Sequence, residues 1–306
     1  MKNLEGFLRP TQKQLFKRLC KKFKGKTLIS KGNFILVHGQ APVLLVAHLD
    51  TVHEQPVKDI CVSADKNILM SPQGIGGDDR CGCYSLVKIY KSAKIKPWLL
   101  FTCEEEVGGI GAKYFCLAHK QKQLPKNLDT LKLIIEIDRR GSNDAVFYQC
   151  ANLDFETYIN SKGFKTAQGS FSDISLIAPE LGIAAVNLSS GYYNAHSLHE
   201  YIIRSELEST IEKVGEMVAD VAEPDFPKFV YAESFIKPYN SKKIRYDDMS
   251  TFYTEQDILP QKITSEYQDI YEALLDFYSL KELESFRAEY GDQILWQIYC
   301  DEFGQF

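Results

Sequence analysis

Between about residues 28 and 222 the sequence repeats one pattern, and that pattern restricts the fold more than any other feature. A short apolar run is followed by an acid, a histidine, a glycine or a serine, and then by a stretch with helical spacing. The apolar runs are Phe34-Ile35-Leu36-Val37, Val43-Leu44-Leu45-Val46, Trp98-Leu99-Leu100-Phe101, Leu133-Ile134-Ile135-Glu136-Ile137 and Ile183-Ala184-Ala185-Val186. Near-continuous apolar runs of this length suit strands buried on both faces, which arise where helices cover both sides of a sheet. Helical periodicity falls between them, at about 81–93, 109–121, 153–162, 171–181 and 204–221. The alternation predicts an α/β fold, a three-layer α/β/α sandwich around a mixed, mostly parallel central sheet.

The flanks differ from this middle. Residues 1–27 carry Arg9, Lys13, Lys17, Arg18, Lys21, Lys22, Lys24 and Lys26 around Leu8, Leu15, Phe16, Leu19 and Phe23, the pattern of a basic amphipathic helix with one solvated face. After Val221 comes Glu223-Pro224-Asp225-Phe226-Pro227, and beyond it the chain turns acidic and rich in Tyr and Phe. These shifts divide the chain into an α/β domain over 1–222 and an aromatic-rich extension over 223–306. Tyr267, Ile270, Tyr271, Leu274, Leu275 and Tyr278 are spaced for helix, so the extension is expected to be mainly helical. Its aromatic side chains require a partner surface: the α/β domain, a second copy in a homo-oligomer, or another protein.

Charge and cysteine usage exclude several classes. Thirty-six basic against 41 acidic residues leave a net charge of -5, which argues against nucleic acid or an anionic membrane as partner. No segment approaches the roughly 18 unbroken apolar residues of a spanning helix, and the start of the chain lacks the apolar core of a secretory leader. The eight cysteines form no CxxC pair. Scattered single thiols fit a reducing cytoplasm and small buried hydrophobes better than a disulfide framework or a thiolate metal site.

The chemistry lies at the strand ends. Val43–Val46 runs into His48-Leu49-Asp50, an imidazole and a carboxylate pointing the same way from one strand. Gly74-Ile75-Gly76-Gly77-Asp78-Asp79-Arg80-Cys81-Gly82 brings two acids to a helix start behind glycines that permit close backbone approach. One of the two acids is explained as a helix N-cap; the pair is not. Thr102-Cys103-Glu104-Glu105-Glu106-Val107-Gly108 sets three like charges against the end of a buried strand, which calls for a counter-charge. Asp138 ends Leu133–Ile137, and His196-Ser197-Leu198-His199-Glu200 follows the last core strand. Acids and imidazoles gathered at the carboxyl ends of strands lie where open α/β sheets hold their sites. Two imidazoles with several carboxylates and no thiolate suit zinc, with manganese or cobalt as substitutes.

In this order the five motifs resemble those of the di-zinc (co-catalytic) exopeptidase superfamily, which includes bacterial aminopeptidases, peptidase T and the glutamate carboxypeptidases. The match covers about residues 40–205. The resemblance implies that Asp78 bridges two divalent metal ions, that His48 and Asp138 complete one site, and that Glu106 and His196 complete the other. It implies that Asp50 orients His48 and that Glu105 is the general base. The implied reaction is hydrolysis of a peptide bond through a hydroxide bridging two zinc ions. His199 competes with His196 for the ligand role, and the family pattern favours His196. His199, like His38, His53 and His119, is read as a supporting or surface histidine, and Tyr192 and Tyr193 as candidate donors to the oxyanion.

Departures from the family narrow the resemblance. Only about sixty residues separate Asp138 from His196, too few for the lid domain of two-domain members, and the interval from Asp50 to Asp78 is too short for the insert of the tetrahedral aminopeptidases. The compact single-domain aminopeptidase branch is the nearest match, with a peptide or an N-acyl amino acid as substrate. The alternatives are a non-peptide amidohydrolase of the N-acyl amino acid deacylase type on the same metal site, and a binding or scaffold protein with a relict site. An intact Glu105 and five intact ligand positions weigh against the relict.

Overall fold

The computed structural model describes residues 3–233 except Lys31 and Glu54, and beyond them Leu274, Leu283, Arg287 and Leu295. In chain order the elements are α1 (Glu5–Leu8), α2 (Gln12–Lys22), β1 (Thr27–Ser30), β2 (Phe34–Val37), β3 (Val43–His48), β4 (Cys61–Val62), β5 (Ile68–Met70), α3 (Gly77–Ser92), β6 (Trp98–Thr102), α4 (Ile110–Lys120), β7 (Leu133–Arg139), β8 (Asp144–Val146), α5 (Leu153–Ser161), β9 (Lys165–Thr166), α6 (Ile174–Leu181), β10 (Ala185–Ser189), β11 (Tyr192–Tyr193), β12 (Tyr201–Ile203) and α7 (Arg204–Val221). Every apolar run that ends in a chemical motif forms a strand of one eight-stranded sheet, ordered β1-β2-β6-β3-β7-β10-β8-β9. Its centre, β6-β3-β7-β10, is parallel throughout, while β1, β2 and the β10–β8 pair are antiparallel.

Alternation along these strands produces two cores. Val43, Leu45, Leu99, Phe101, Leu133 and Ile135 face the layer that contains α3 and α7, and Leu44, Val46, Trp98, Leu100 and Ile134 face α4 and α6. Side chains of successive strand residues point to opposite faces, so a strand covered on both sides must be apolar at every position. A separate four-stranded antiparallel sheet, β11-β12-β5-β4, supports the loops on one side of the site. Among the described residues no helix is long and apolar enough to cross a membrane.

The amphipathic N-terminal segment is two helices rather than one. Pro10 follows α1, where it supplies no N–H, and Thr11 starts α2 with a capping box: its Oγ1 accepts from Gln14 N (3.3 Å) and its N–H donates to Gln14 Oε1 (3.2 Å). Leu15 and Leu19 are buried while Lys13, Lys17, Arg18, Lys21 and Lys22 remain exposed, as the periodicity predicts.

The first compact unit runs to Lys237, so the segment placed at the head of the extension packs with the sheet. Phe229 N–H donates to Lys132 O (2.8 Å), its carbonyl accepts from Ala184 N (2.9 Å), and Val230 bridges Ile183. Phe226, Phe229, Phe155 and Tyr158 form an aromatic cluster there. Pro238–Phe306 forms a second unit. Its four described residues, Leu274, Leu283, Arg287 and Leu295, are helical and buried, and the rest of the helical pattern expected over 264–303 lies outside the described residues.

Candidate metal centre

Because β6, β3, β7 and β10 are parallel, their carboxyl ends share one edge of the sheet, and the motifs that follow them meet there. His48 ends β3 opposite Thr102 and is fully buried. Its backbone is fixed on both sides: the N–H donates to Asp79 Oδ2 (3.2 Å), and the carbonyl accepts from Cys83 Sγ (3.0 Å). The imidazole Nε2 faces Asp78 Oδ1 at 3.1 Å, Asp138 Oδ1 at 3.5 Å and Glu105 Oε2 at 4.0 Å. Its Nδ1 faces Asp50 Oδ1 at 3.4 Å, and the other oxygen of Asp50 accepts Glu106 N–H (3.0 Å). Asp50 thus contacts the histidine with one oxygen and holds the glutamate loop with the other.

The two adjacent aspartates take different directions. Asp78 (φ -79°, ψ 105°) and Asp79 (φ -116°, ψ 44°) are non-helical within the first turn of α3, and the peptide between them is cis. Asp79 points at backbone, to His48 N–H and to Gly82 N–H (2.9 Å), and a Cβ on Gly82 would lie 2.2 Å from Ile137 O. Asp78 points into the cluster. Its Oδ1 faces His48 and its Oδ2 faces His196 Nε2 at 3.3 Å, while the same His196 nitrogen lies 3.0 Å from Glu106 Oε2. One donor atom from each of His48, Asp78 and Glu106 lies within 4.8 Å of the others, and the same holds for His48, Asp79 and Asp138. Asp79 has both oxygens committed to N–H donors, so of the pair it is Asp78 that has oxygens free for a ligand. All five expected ligand positions therefore converge, as do Asp50 and Glu105.

The electrostatics follow from packing these acids together. Burial, reinforced by the charges of Asp138, Asp173 and Glu106, pushes the Glu105 carboxyl up to about 9. Burial and the charge of Asp78 raise Asp138 to about 8. Burial opposes the Asp78 anion too, but His196 and His48 outweigh it and hold this group below the usual carboxylate range. Hydrogen bonds to Asp78 and Glu106 raise His196 to about 11. The cluster holds more carboxyl groups than its two imidazoles can balance, and burial keeps the protons on Glu105 and Asp138. His48 Nδ1, Asp50 Oδ1 and Glu106 Oε1 are also buried without a hydrogen-bond partner.

Several residues that matter here were invisible as motifs. Glu136, fully buried, takes an apolar position on the α4/α6 face of β7 and accepts the Ser172 hydroxyl. Asp173, also fully buried, accepts the Thr102 hydroxyl. Ser172 and Asp173 lie in a segment expected to be helix from residue 171; α6 starts only at Ile174, which frees them to turn inward. Asn187 brackets the backbone of Asp138, accepting its N–H (2.9 Å) and donating to its carbonyl (3.2 Å). Glu136, a charge inside an otherwise apolar strand, was the only one of these with a signal in the sequence.

The two tyrosines ahead of His196 have other partners in this structure. Tyr192 OH donates to Asp138 O (3.1 Å) and lies 3.3 Å from its Oδ1, while Tyr193 OH donates to Glu206 (2.6 Å). His199 is exposed, His119 pairs with Glu180 at 2.9 Å, and the His38 ring lies tilted against Trp98. His53 is buried against Glu200, so it supports the site and is not a surface histidine.

No protein-family model matches the sequence, and no curated protein matches it. Solved structures do. The aminopeptidase PepT of Bacillus cereus superposes with a TM-score of 0.53 at 15% identity, covering 72% of this chain and 97% of that one. A tripeptidase from Staphylococcus aureus gives 0.53 at 15% identity, over 72% and 96%. A TET aminopeptidase from a marine-sediment thaumarchaeote gives 0.54 at 10% identity, over 71% and 97%. This chain has the fold of these peptidases.

Proposed function

We propose that the chain is a co-catalytic metal exopeptidase, an aminopeptidase that removes a residue from the free amino end of a peptide, with zinc as its metal. The observation that carries this reading is the Asp78 carboxylate, which turns one oxygen to His48 and the other to His196 and so stands between two sets of donors. The residues fit a pair of divalent ions. Three carboxylates and two imidazoles, all hard or borderline donors, surround a cluster with excess carboxyl groups and unpartnered buried oxygens. His48, Asp138 and Asp78 would hold one ion, and Glu106, His196 and Asp78 the other. Bound there, such ions would polarise the scissile carbonyl and acidify a water molecule.

The remaining work belongs to the chain. Glu105 reaches within 4.0 Å of His48 without sharing the Asp78 contacts, the place for a base that takes a proton from water and delivers it to the leaving amine. Asp50 keeps the His48 ring in one orientation and holds the Glu106 loop. Asn187 and Tyr192 hold the backbone of Asp138, and the Tyr192 hydroxyl also lies 3.3 Å from its Oδ1.

The test is a substrate panel on protein stripped of metal and reloaded with zinc or manganese, with metal content measured on the same sample. Aminoacyl anilides and dipeptides with a free amino end should be cleaved, with loss on chelation and recovery on reloading. Cleavage confined to N-acyl amino acids would move the site to the deacylase class. Activity indifferent to chelator would exclude the mechanism.

A further inference from the structure

The glycine-rich approach to Asp78 and the glutamate four residues past His196 are both prominent in the sequence, and neither has a part in the chemistry above. The structure joins them. Glu200 is fully buried, and its Oε1 accepts Asp78 N–H (2.9 Å) while its Oε2 accepts Gly76 N–H (2.9 Å) and contacts His53 Nε2 (2.9 Å). The glycines make room for this pair. A Cβ on Gly77 would lie 3.1 Å from Glu200 Oε1 and 2.7 Å from Tyr192 Cβ, and one on Gly74 would lie 2.3 Å from the His53 ring. Gly76 and Gly74 also hold positive φ, of 63° and 78°, which a side chain would strain.

Three loops meet on one carboxylate. His53 belongs to the loop after His48-Leu49-Asp50, Gly76 and Asp78 to the turn into α3, and Glu200 to the loop that carries His196. Asp78 lies in the first turn of α3, where no backbone carbonyl is in place to accept its N–H, and Glu200 supplies the acceptor. That bond holds the backbone from which the Asp78 carboxylate reaches His48 with one oxygen and His196 with the other.

We infer that Glu200, held by His53, is the positioning residue that sets the Asp78 bridge and thereby the spacing of the two metal positions. The inference rests on the proposed metal function and touches no reacting atom. A carboxylate has about four acceptor sites, and three are occupied here. Glutamine has the same shape, but its amide nitrogen would face a donor. Glu200→Gln should therefore lose the bridge geometry while keeping the volume.

The experiment is calorimetric titration of metal-stripped full-length protein with zinc, together with kcat and KM on reloaded protein. Glu200→Gln should bind zinc roughly 10- to 100-fold more weakly, the range typical when a partner of a ligand is removed. It should lose kcat while KM stays within about threefold. His53→Leu should move the same way by less, and His53→Gln, which restores an N–H donor, should recover affinity. A Glu200→Gln protein that is folded by near-ultraviolet circular dichroism and binds zinc like wild type would overturn the inference. If that variant does not fold, equal affinities for His53→Leu and His53→Gln would overturn it. Wild type that binds zinc without cleaving peptides would sink the proposed function, yet the isotherms would still decide the role of Glu200. Wild type that binds no zinc would sink both.

Discussion

Asp173 provides a stability test that needs no substrate. It is fully buried under the glutamate loop, and burial raises its carboxyl from 3.8 to about 6 although the Thr102 hydroxyl supports the anion. Below pH 3.8 the group is neutral whether the chain is folded or not, so it contributes nothing to the pH dependence. Between 3.8 and about 6 it ionises in the unfolded chain but resists ionising in the folded one, so stability falls as pH rises. At about 1.4 kcal/mol per unit, a shift of roughly two units costs about 3 kcal/mol once pH passes the folded value. Roughly half of that is reached by pH 5. Asp173→Asn removes the ionisation and keeps an oxygen for Thr102. Urea melts of metal-free wild type and variant from pH 4 to 7.5 would measure the difference. The gap should swing toward the variant by about 2.5 kcal/mol across that range, since about 0.5 kcal/mol of the effect is already present at pH 4. Parallel stability curves would refute the burial argument, because any pH-independent effect of the amide cancels in the slope.

Glu105→Gln should bind zinc as wild type does and lose roughly 10²- to 10⁴-fold in kcat, the usual contribution of a general base; unchanged turnover would remove Glu105 from that role. Metal should stabilise the fold, by about 2.7 kcal/mol for each site at a free concentration a hundredfold above its dissociation constant, and a urea midpoint indifferent to zinc would contradict the site. Truncation after Val221 strips Phe226 and Phe229 from the sheet edge and should cost about 3 kcal/mol or more in chemical denaturation. Truncation after Lys237 keeps these aromatic and backbone contacts and should lose less, and equal loss in both truncations would contradict their role.

The apolar runs determined the sheet, because residues covered by helices on both faces must be hydrophobic without alternation, and few sequences satisfy that by accident. Since parallel strands end on one edge, the same reading gathers the clusters around His48, Asp78, Glu104–Glu106, Asp138 and His196 at that edge. Which acid or imidazole of each cluster has which role came from the family resemblance rather than from periodicity.

What tertiary structure alone decided is which way each acid turns. Asp78 and Asp79 are chemically the same residue side by side, and only the close fit of Gly82 against Ile137, with the N–H groups of His48 and Gly82 in reach, sends Asp79 to backbone and leaves Asp78 for the cluster. Tyr192 stands ready to donate in the sequence, but in the fold its hydroxyl reaches Asp138. Asp173 and Ser172 stood inside an apparent helix, and they reach Thr102 and Glu136 because α6 begins late. Burial and backbone patterning are written along the chain at a period of two or 3.6 residues. The partner of a polar atom is fixed by contacts between segments far apart in sequence, and no local period encodes them.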